Sequence, residues 1–563
     1  MKPSLLLLLL ILSVGLSAQT YYLGADLSYL NEMEDCNAIY YENQEAKDPY
    51  QIFWDHNMKI VRFRLWHTPT WTGYSTREDV KKSLQRAKEV GFAILLDFHN
   101  SDTWADPSHQ LRPAAWAAIT ELQVLGDSLH HYIFNTLDYF GSMGLLPDMV
   151  QIGNETNGNI LLNAGEPLFP LTWTRNVQLF NRGISAVADI NLTYGTNIKT
   201  VIHIAQPENG LWWFDQAHDY GLTGFDIIGL SYYPGWSGLD IHRAANAIKE
   251  LHLTYNKDVL VVETGYPWTL QWADNYNNLL NSSNLFSCFS DAPTPELQRD
   301  FLTEFSWLVK ESGGLGVIYW EPCWVSTGCS TPWGTGSSWE NATFFDFDYN
   351  LHEGIGFMDY DYSVKPPALD SMAVVFRVDM TGQDTTNGVF VTGDFTGIEW
   401  KFKRMQHTGQ MIFQYNHRLP GRSEGAYIFQ NKADWNTSSR ETVPAACALY
   451  WDTHRKFVVK DEPVEFGFVW GSCEQLSGLP VHEINTLNPT IFPNPASSSV
   501  TVKSVHKMTS VGITDLCGSL VFSKTIKNQN ETCLDISNLS SGIFLLKITC
   551  ENQTFTIQKI VIQ

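Results

Sequence analysis

Glu155 ends the run Val150-Gln151-Ile152-Gly153-Asn154-Glu155, and Glu263 ends Val259-Leu260-Val261-Val262-Glu263. Each closes a short β-branched apolar stretch and stands just before a polar or glycine-bearing segment. A carboxylate at that point costs burial energy and adds nothing to a core, so chemistry is the better reason for it. Two such carboxylates facing each other are the minimum equipment for hydrolysing a glycosidic bond. One protonates the leaving oxygen; the other attacks the anomeric carbon or activates a water.

The elements that must hold them repeat one alternation between residue 20 and about residue 365. Short apolar runs occur at Tyr22–Leu27, Ile60–Trp66, Ala93–Phe98, Met149–Glu155, Thr200–Ala205, Asp226–Tyr233, Val259–Thr264 and Gly316–Trp320. Longer helix-like stretches separate them. In the clearest, Ser75-Thr76-Arg77-Glu78 reads as a capping box, Val80, Leu84 and Ala87 share one face, and Gly91 stops the helix. Eight β–α units predict an α/β fold of the (β/α)8 TIM-barrel kind. An open doubly wound sheet is the competing arrangement, but no Gly-rich phosphate loop follows the first run. In a barrel the C-terminal strand ends form the active-site rim. Here those ends carry Asp26, Arg64, Trp66, His99, Asn154, Glu155, His203, Tyr232, Tyr233, Glu263, Trp320 and Glu321. The two glutamates fall on the fourth and seventh runs, across a cleft from each other.

Composition narrows the partners. Aromatics make up 13% of the 563 residues, with 20 Trp, a bias that suits stacking against sugar rings as well as core packing. The net charge of −23, with no Lys/Arg block, argues against nucleic acid and anionic membrane surfaces. Lys2, the apolar Leu5–Leu12 and the small residues ending at Ala18 read as a signal peptide over residues 1–18. No other segment approaches the ~20 apolar residues of a membrane span. There are nine cysteines. In an exported chain Cys323 and Cys329 are expected to bond to each other, closing a short loop, and Cys447 and Cys473 to staple a later domain. None of the spacings is a zinc pattern, so no metal ligand is assigned.

After the barrel segment, 19–370, helical periodicity disappears. Residues 371–475 show short alternating runs cut by Gly and Asp turns and read as a β-sandwich. Its Trp400, Trp435, Trp451 and Trp470 fill a core or, for Trp400 and Trp435, offer a sugar platform. The composition break near residue 370 predicts a barrel that folds without this module. A linker at 476–489 leads to a last small all-β unit, 490–563.

Several motifs together resemble glycoside hydrolase family 53, the endo-β-1,4-galactanases. They are Gly24-Ala25-Asp26-Leu27-Ser28, Arg62-Phe63-Arg64-Leu65-Trp66, the run from Asp97 to Pro107, Gly229-Leu230-Ser231-Tyr232-Tyr233-Pro234 and Tyr319-Trp320-Glu321-Pro322. The resemblance implies a retaining enzyme acting on β-1,4-galactan of pectin and type I arabinogalactan, with Glu155 as acid/base and Glu263 as nucleophile. It requires no cofactor. Some bacterial relatives hold calcium in the loop after strand seven, where this chain has Asp274, Asn275, Asn277 and Asn278 without a clear carboxylate cage. Within that scheme Arg64 is expected to keep Glu263 ionised and Tyr233 to donate to it. Asn154 is expected to bond the sugar 2-hydroxyl, His99 to bond near the cleaved sugar, and Trp320 to stack beneath it. A β-mannanase on the same barrel and a non-catalytic surface glycan-binding protein are the alternatives. Residues 388–395 are loosely similar to starch- and glycogen-binding sandwiches. The last unit, with Pro493-Asn494-Pro495 near its start and Gly542-Ile543-Phe544 near its end, resembles the type A sorting domain of the type IX secretion system of Bacteroidetes. That implies the type IX machinery as a partner and a secreted or cell-surface location.

Overall fold

A computed structural model describes residues 20–289, 292–396, 400–449, 453–476, 490–514, 520–550 and 555–563. The expected signal peptide, nearly all of the expected linker, Trp451 and Cys517 lie outside the described residues.

The eight apolar runs form strands β1 (Tyr22–Asp26), β2 (Ile60–Leu65), β3 (Ala93–Phe98), β4 (Met149–Ile152), β5 (Lys199–Ala205), β6 (Ile227–Tyr232), β7 (Asp258–Thr264) and β8 (Gly316–Tyr319). They close into a barrel, with β1 pairing in parallel to both β2 and β8. Strands covered on both faces have no polar side to show, which is why they read as near-continuous apolar runs. Gly24 marks the seam. A Cβ there would lie 2.5 Å from Ile60 Cγ2 and 2.6 Å from the Ile60 carbonyl oxygen. Inside the barrel, Ile60, Leu95, Met149, Val201, Leu260 and Ile318 pack the floor. The polar rim stands on that floor.

Helices α1 (Leu30–Asp35) and α2 (Pro49–Asp55) precede β2, and α3 (Arg77–Val90), α4 (Leu122–Gly141), α5 (Trp173–Tyr194), α6 (Pro207–Asp219), α7 (Ile241–Tyr255) and α8 (Pro295–Glu311) follow successive strands. The cap of α3 is displaced by one residue from the expected box. Thr76 Oγ1 accepts from the Asp79 N–H, and the Asp79 carboxylate takes the Ser75 N–H at 2.7 Å. Asp79 can do this because it occupies N3, whereas Glu78 points to Lys81 and Tyr139 on the surface. Gly91 ends the helix at φ 104°.

The expected Cys323–Cys329 bond is not formed. Cys329 pairs with Cys36, 293 residues away, and Cys323 is a buried free thiol. The segment after β8 leaves the barrel at Cys323, whose carbonyl takes the Tyr40 hydroxyl at 2.7 Å. It then runs outward until Cys329 meets the C-terminal end of α1. Chain proximity did not decide the pairing. Cys447 and Cys473 are both in disulfides.

Residues 371–469 make two four-stranded sheets. This module is not a free appendage. The Glu424 N–H donates to Asp240 Oδ2 at 3.1 Å, and the Cys288 N–H to Glu424 Oε2 at 3.0 Å. His242 Nε2 bonds the Gly421 carbonyl at 2.8 Å. Arg422 donates to Glu304 Oε2 at 3.2 Å and to the Cys288 carbonyl at 2.9 Å. The barrel and most of this module form one compact unit. The Trp400 indole is tied to Asp394 Oδ1 at 3.1 Å, while Trp435 is 57% exposed. The last unit is an antiparallel sheet, with Thr490–Phe492, Ser499–Thr514, Gly542–Cys550 and Phe555–Ile562 in order and Leu520–Asp535 against the second. Its own core is built on Val500, Val511, Ile513, Leu546 and Ile560.

Candidate active site

The chain leaves β4 through Gly153 at φ 86° and holds Glu155 itself at φ 43°. A non-glycine residue there carries strain of about 1–3 kcal/mol, which persists only where its surroundings fix it. The result is that Glu155 turns its side chain over the barrel mouth.

On the other side, Glu263 lies at the end of β7, with Oε1 2.9 Å from Arg62 Nη2 and Oε2 accepting from the Tyr233 hydroxyl at 3.1 Å. Arg62 is fully buried and also pairs with Asp26 and Asp97, each at 2.7 Å. Burial alone disfavours its charge, but Asp97, Glu263 and Asp26 outweigh that and hold it protonated. The cation expected at Glu263 was Arg64, and this is corrected. Arg64 Nη1 is 3.3 Å from Glu321 Oε1, and its guanidinium is enclosed by the rings of Tyr29, Trp66 and Trp104. Arg62 and Arg64 face the same side of β2, and Arg62 is the register partner of Asp26 on β1.

Glu155 Oε1 accepts from Ser231 Oγ at 2.6 Å. Ser231 on β6 is the register partner of Glu263 on β7, so one pair of strands brings the two carboxyls into the same site. Burial, then the charge of Glu263, pushes Glu155 up to about 8. Burial also pushes Glu263 up, to about 7, with Arg62 opposing it. Both carboxyls are thus pushed toward the protonated form by burial, with Arg62 opposing this at each and Tyr233 opposing it at Glu263.

All seven residues singled out in the sequence line one cleft of about 820 Å³, but not all in the expected posture. Asn154 Oδ1 accepts from Arg62 at 2.8 Å and Gln151 at 3.1 Å, and Nδ2 donates to the Ala105 carbonyl at 2.8 Å. One amide hydrogen of Asn154 is left for a ligand. His99 is fully engaged: Nδ1 accepts from the Ala105 N–H at 3.2 Å and Nε2 donates to Asp97 Oδ2 at 3.1 Å. It orients Asp97 and offers a sugar only ring edge. Trp320 is 8% exposed and meets Trp339 edge-on at 4.7 Å between centroids. Trp236 and Trp333 open the rim of the cleft, 48% and 51% exposed.

In the loop after β7, the one carboxylate among the four expected donors is engaged within the protein. The Asp274 carboxylate already accepts from the Tyr276 and Ser337 N–H groups and from Ser326 Oγ, and Asn275 and Asn277 are exposed. Asn278 Oδ1 and Glu340 Oε2 are buried without partners. Among the described residues no group of three or more His, Cys, Asp or Glu is placed to hold a metal.

Arg62, Asp97, Gln151 and Ser231 were not singled out from the sequence. The signal existed for the first two: Arg62 and Asp97 are charges inside otherwise apolar runs, at positions that face the barrel interior. Gln151 and Ser231 look like ordinary strand residues, and only the register reveals them.

A closed parallel barrel with two buried carboxyls at its C-terminal mouth, one held by a guanidinium and one by a hydroxyl, in a Trp-lined cleft, defines a glycoside hydrolase. Residues 22–358 match the family model of Glycosyl hydrolase family 53, and the chain belongs to that family. Residues 490–563 match that of a secretion system C-terminal sorting domain. The arabinogalactan endo-beta-1,4-galactanase of Cellvibrio japonicus is 49% identical over 347 residues, covering 61% of this chain and 91% of the relative. The endo-beta-1,4-galactanase of Bacillus subtilis is 32% identical over 348 residues, covering 58% and 77%. Among solved structures, the family 53 catalytic domain of Ignisphaera aggregans superposes with a TM-score of 0.55 at 30% identity, covering 61% of this chain and 97% of that one. A fungal beta-1,4-galactanase gives 0.53 at 27% identity, covering 61% and 100%.

Proposed function

We propose that this chain is a retaining endo-β-1,4-galactanase acting on pectic galactan and type I arabinogalactan, with Glu263 as nucleophile and Glu155 as acid/base. The unequal footing of the two carboxyls supports these roles. Glu263 has a cation and a phenol on its two oxygens, which favour the anion. Glu155 is buried beside the charge of Glu263, which together favour the acid and outweigh the opposing hydrogen bond from the Ser231 hydroxyl to Oε1.

In the first step a Glu263 oxygen bonds to the anomeric carbon as the glycosidic C–O bond breaks, and the leaving oxygen takes the proton of Glu155. In the second, water attacks the same carbon, Glu155 removes its proton and the Glu263–carbon bond breaks. Two inversions retain the β-configuration. Asn154 has one N–H to give the sugar, and Trp320 presents a ring to it.

Azide separates the roles. On an activated aryl galactoside, Glu155→Ala accumulates the intermediate, and azide releases it as the β-azide; Glu263→Ala stays inactive. An α-azide from the Glu155 variant, or β-azide rescue of the Glu263 variant alone, overturns the assignment of roles or the retaining mechanism. Product analysis on potato galactan beside mannan and xylan decides the substrate.

The sorting module adds a route: residues 490–563 address the chain to the type IX machinery, for release or attachment at the cell surface. Loss of export on deleting 490–563 tests it.

A further inference from the structure

His203 lies on β5, buried beneath the acid/base and outside the direct sugar path. Its ring bridges two parts of Glu155. Nδ1 accepts from the Glu155 backbone N–H at 3.2 Å, and Nε2 lies 2.8 Å from Ser231 Oγ, which is 2.6 Å from Glu155 Oε1. Nδ1 also lies 3.0 Å from the Gln151 amide nitrogen and 3.0 Å from Asn154 Oδ1, which already accepts from Arg62 and Gln151. The Glu155 N–H and the Gln151 amide can only donate, and these two donors outweigh the one occupied acceptor, so Nδ1 bears the lone pair and the proton sits on Nε2. Nε2–H then donates to Ser231, and the single hydroxyl hydrogen of Ser231 is left for Glu155 Oε1. Every bond in the chain has one direction.

We propose that His203 and Ser231 are positioning residues that fix Glu155 Oε1 as a permanent acceptor, so that the catalytic proton leaves from and returns to Oε2. The same imidazole pins the backbone of Glu155 at its strained φ of 43°. This rests on the assignment of Glu155 as acid/base.

The chain suits a group that must be acid and then base. When Glu155 is protonated, Oε2–H is free to face the leaving oxygen, since among the described residues nothing else bonds Oε2. When it is ionised, Ser231 steadies the anion without surrendering its hydrogen, because His203 cannot accept one at Nε2. His203 stays neutral throughout: burial and then Arg62 hold it well below the ordinary range. The other groups that face Glu155 are Glu263 from β7, Asp106 from the β3–α4 loop, Arg62 from β2 and Tyr233 beyond β6.

Ser231→Ala is the test. Ser231 lowers the affinity of Glu155 for its proton. Its loss should move the alkaline limb of kcat/KM upward by about one pH unit. It should lower kcat on galactan about tenfold with KM little changed, since Ser231 does not reach the sugar. An alkaline limb that stays in place or moves down overturns the proposal, whatever happens to kcat. Nitrogen-15 NMR of the wild-type enzyme decides independently of whether the variant folds: a protonated Nε2 and bare Nδ1 on His203 support the chain, and the opposite tautomer sinks it. Azide rescue of Glu155→Ala keeps the two readings apart. If rescue works and the limb does not move, only the relay falls; if rescue fails, the role of Glu155 falls first.

Discussion

Arg62 Nη2 sits 2.9 Å from Glu263 Oε1, inside a barrel where Arg62 is 1% exposed and also pairs with Asp26 and Asp97. Three carboxylates around one guanidinium satisfy a buried charge while leaving Glu263 free on the cleft side. Lysine has one point charge and no fork, so it cannot hold all three. Arg62→Lys is expected to lower kcat by about 100-fold or more through misplacement of Glu263. Since Arg62 is the group opposing the burial of Glu263, the acidic limb of kcat/KM should move to higher pH. A full pH profile of the variant checks both, and an unmoved acidic limb would show that something else keeps Glu263 ionised.

Glu155 is held at a cost to the fold, and the sign can be worked out. Glu155 is raised from 4.5 to about 8 in the folded protein. The folded state therefore binds this proton more tightly than the unfolded chain does. Its contribution is fully present below pH 4.5 and is lost as the pH rises toward 8. Glu155→Gln keeps the shape and cannot ionise. It should be inactive on galactan yet more thermostable than the wild type, with the gain in Tm small at pH 5 and larger at pH 8. Equal Tm differences at the two pH values would show that Glu155 titrates near its ordinary range.

The fold was legible because each barrel strand is covered on both faces and so announces itself as an apolar run. The two glutamates were legible because they end such runs. The choice between Arg62 and Arg64 was not. Both face one way, and which one reaches Glu263 depends on depth along the barrel, which is set by the register of β1 and β2. The pairing of Cys36 with Cys329 was hidden for a related reason, since nothing local at either residue points across the sequence to the other. The seat of the sandwich on the barrel was hidden as well. It rests on single residues, Gly421, Arg422 and Glu424, that follow no pattern.

That seat makes a distinct prediction. Arg422 and Glu304 have side chains 10% and 5% exposed, and burial pushes Glu304 up to about 7 against the opposing charge of Arg422. Arg422→Met leaves Glu304 buried beside no cation. Breaking a buried pair this way costs about 3–5 kcal/mol. The loss should be greater at pH 8 than at pH 5, where Glu304 takes up a proton. Adding Glu304→Leu should recover much of it, with kcat on galactan unchanged in both variants. For the same reason a chain ending at residue 370 should melt well below the full protein, contrary to what the composition break suggests. Denaturant unfolding at two pH values measures all of this. Identical stability of Arg422→Met and wild type at pH 8 would mean that the pair is not closed in solution.

The Cys36–Cys329 bond ties the end of α1 to the segment after β8, on which Trp333 stands in a short hairpin, Ser330–Thr331 against Gly334–Thr335, at the rim of the cleft. The bond closes a loop across 293 residues. In the chain-entropy picture so long a loop gives stabilisation of up to about 5 kcal/mol. It also restrains a surface that the polysaccharide must meet. Cys36→Ser should therefore lower Tm and raise KM for galactan several-fold, while kcat on a short aryl galactoside, which does not reach Trp333, stays near the wild-type value. Peptide mapping without reduction should recover Cys36 linked to Cys329, with Cys323 labelled only after unfolding. Recovery of a Cys323–Cys329 peptide would restore the local pairing, and the hairpin would then lose its tether to the first helix.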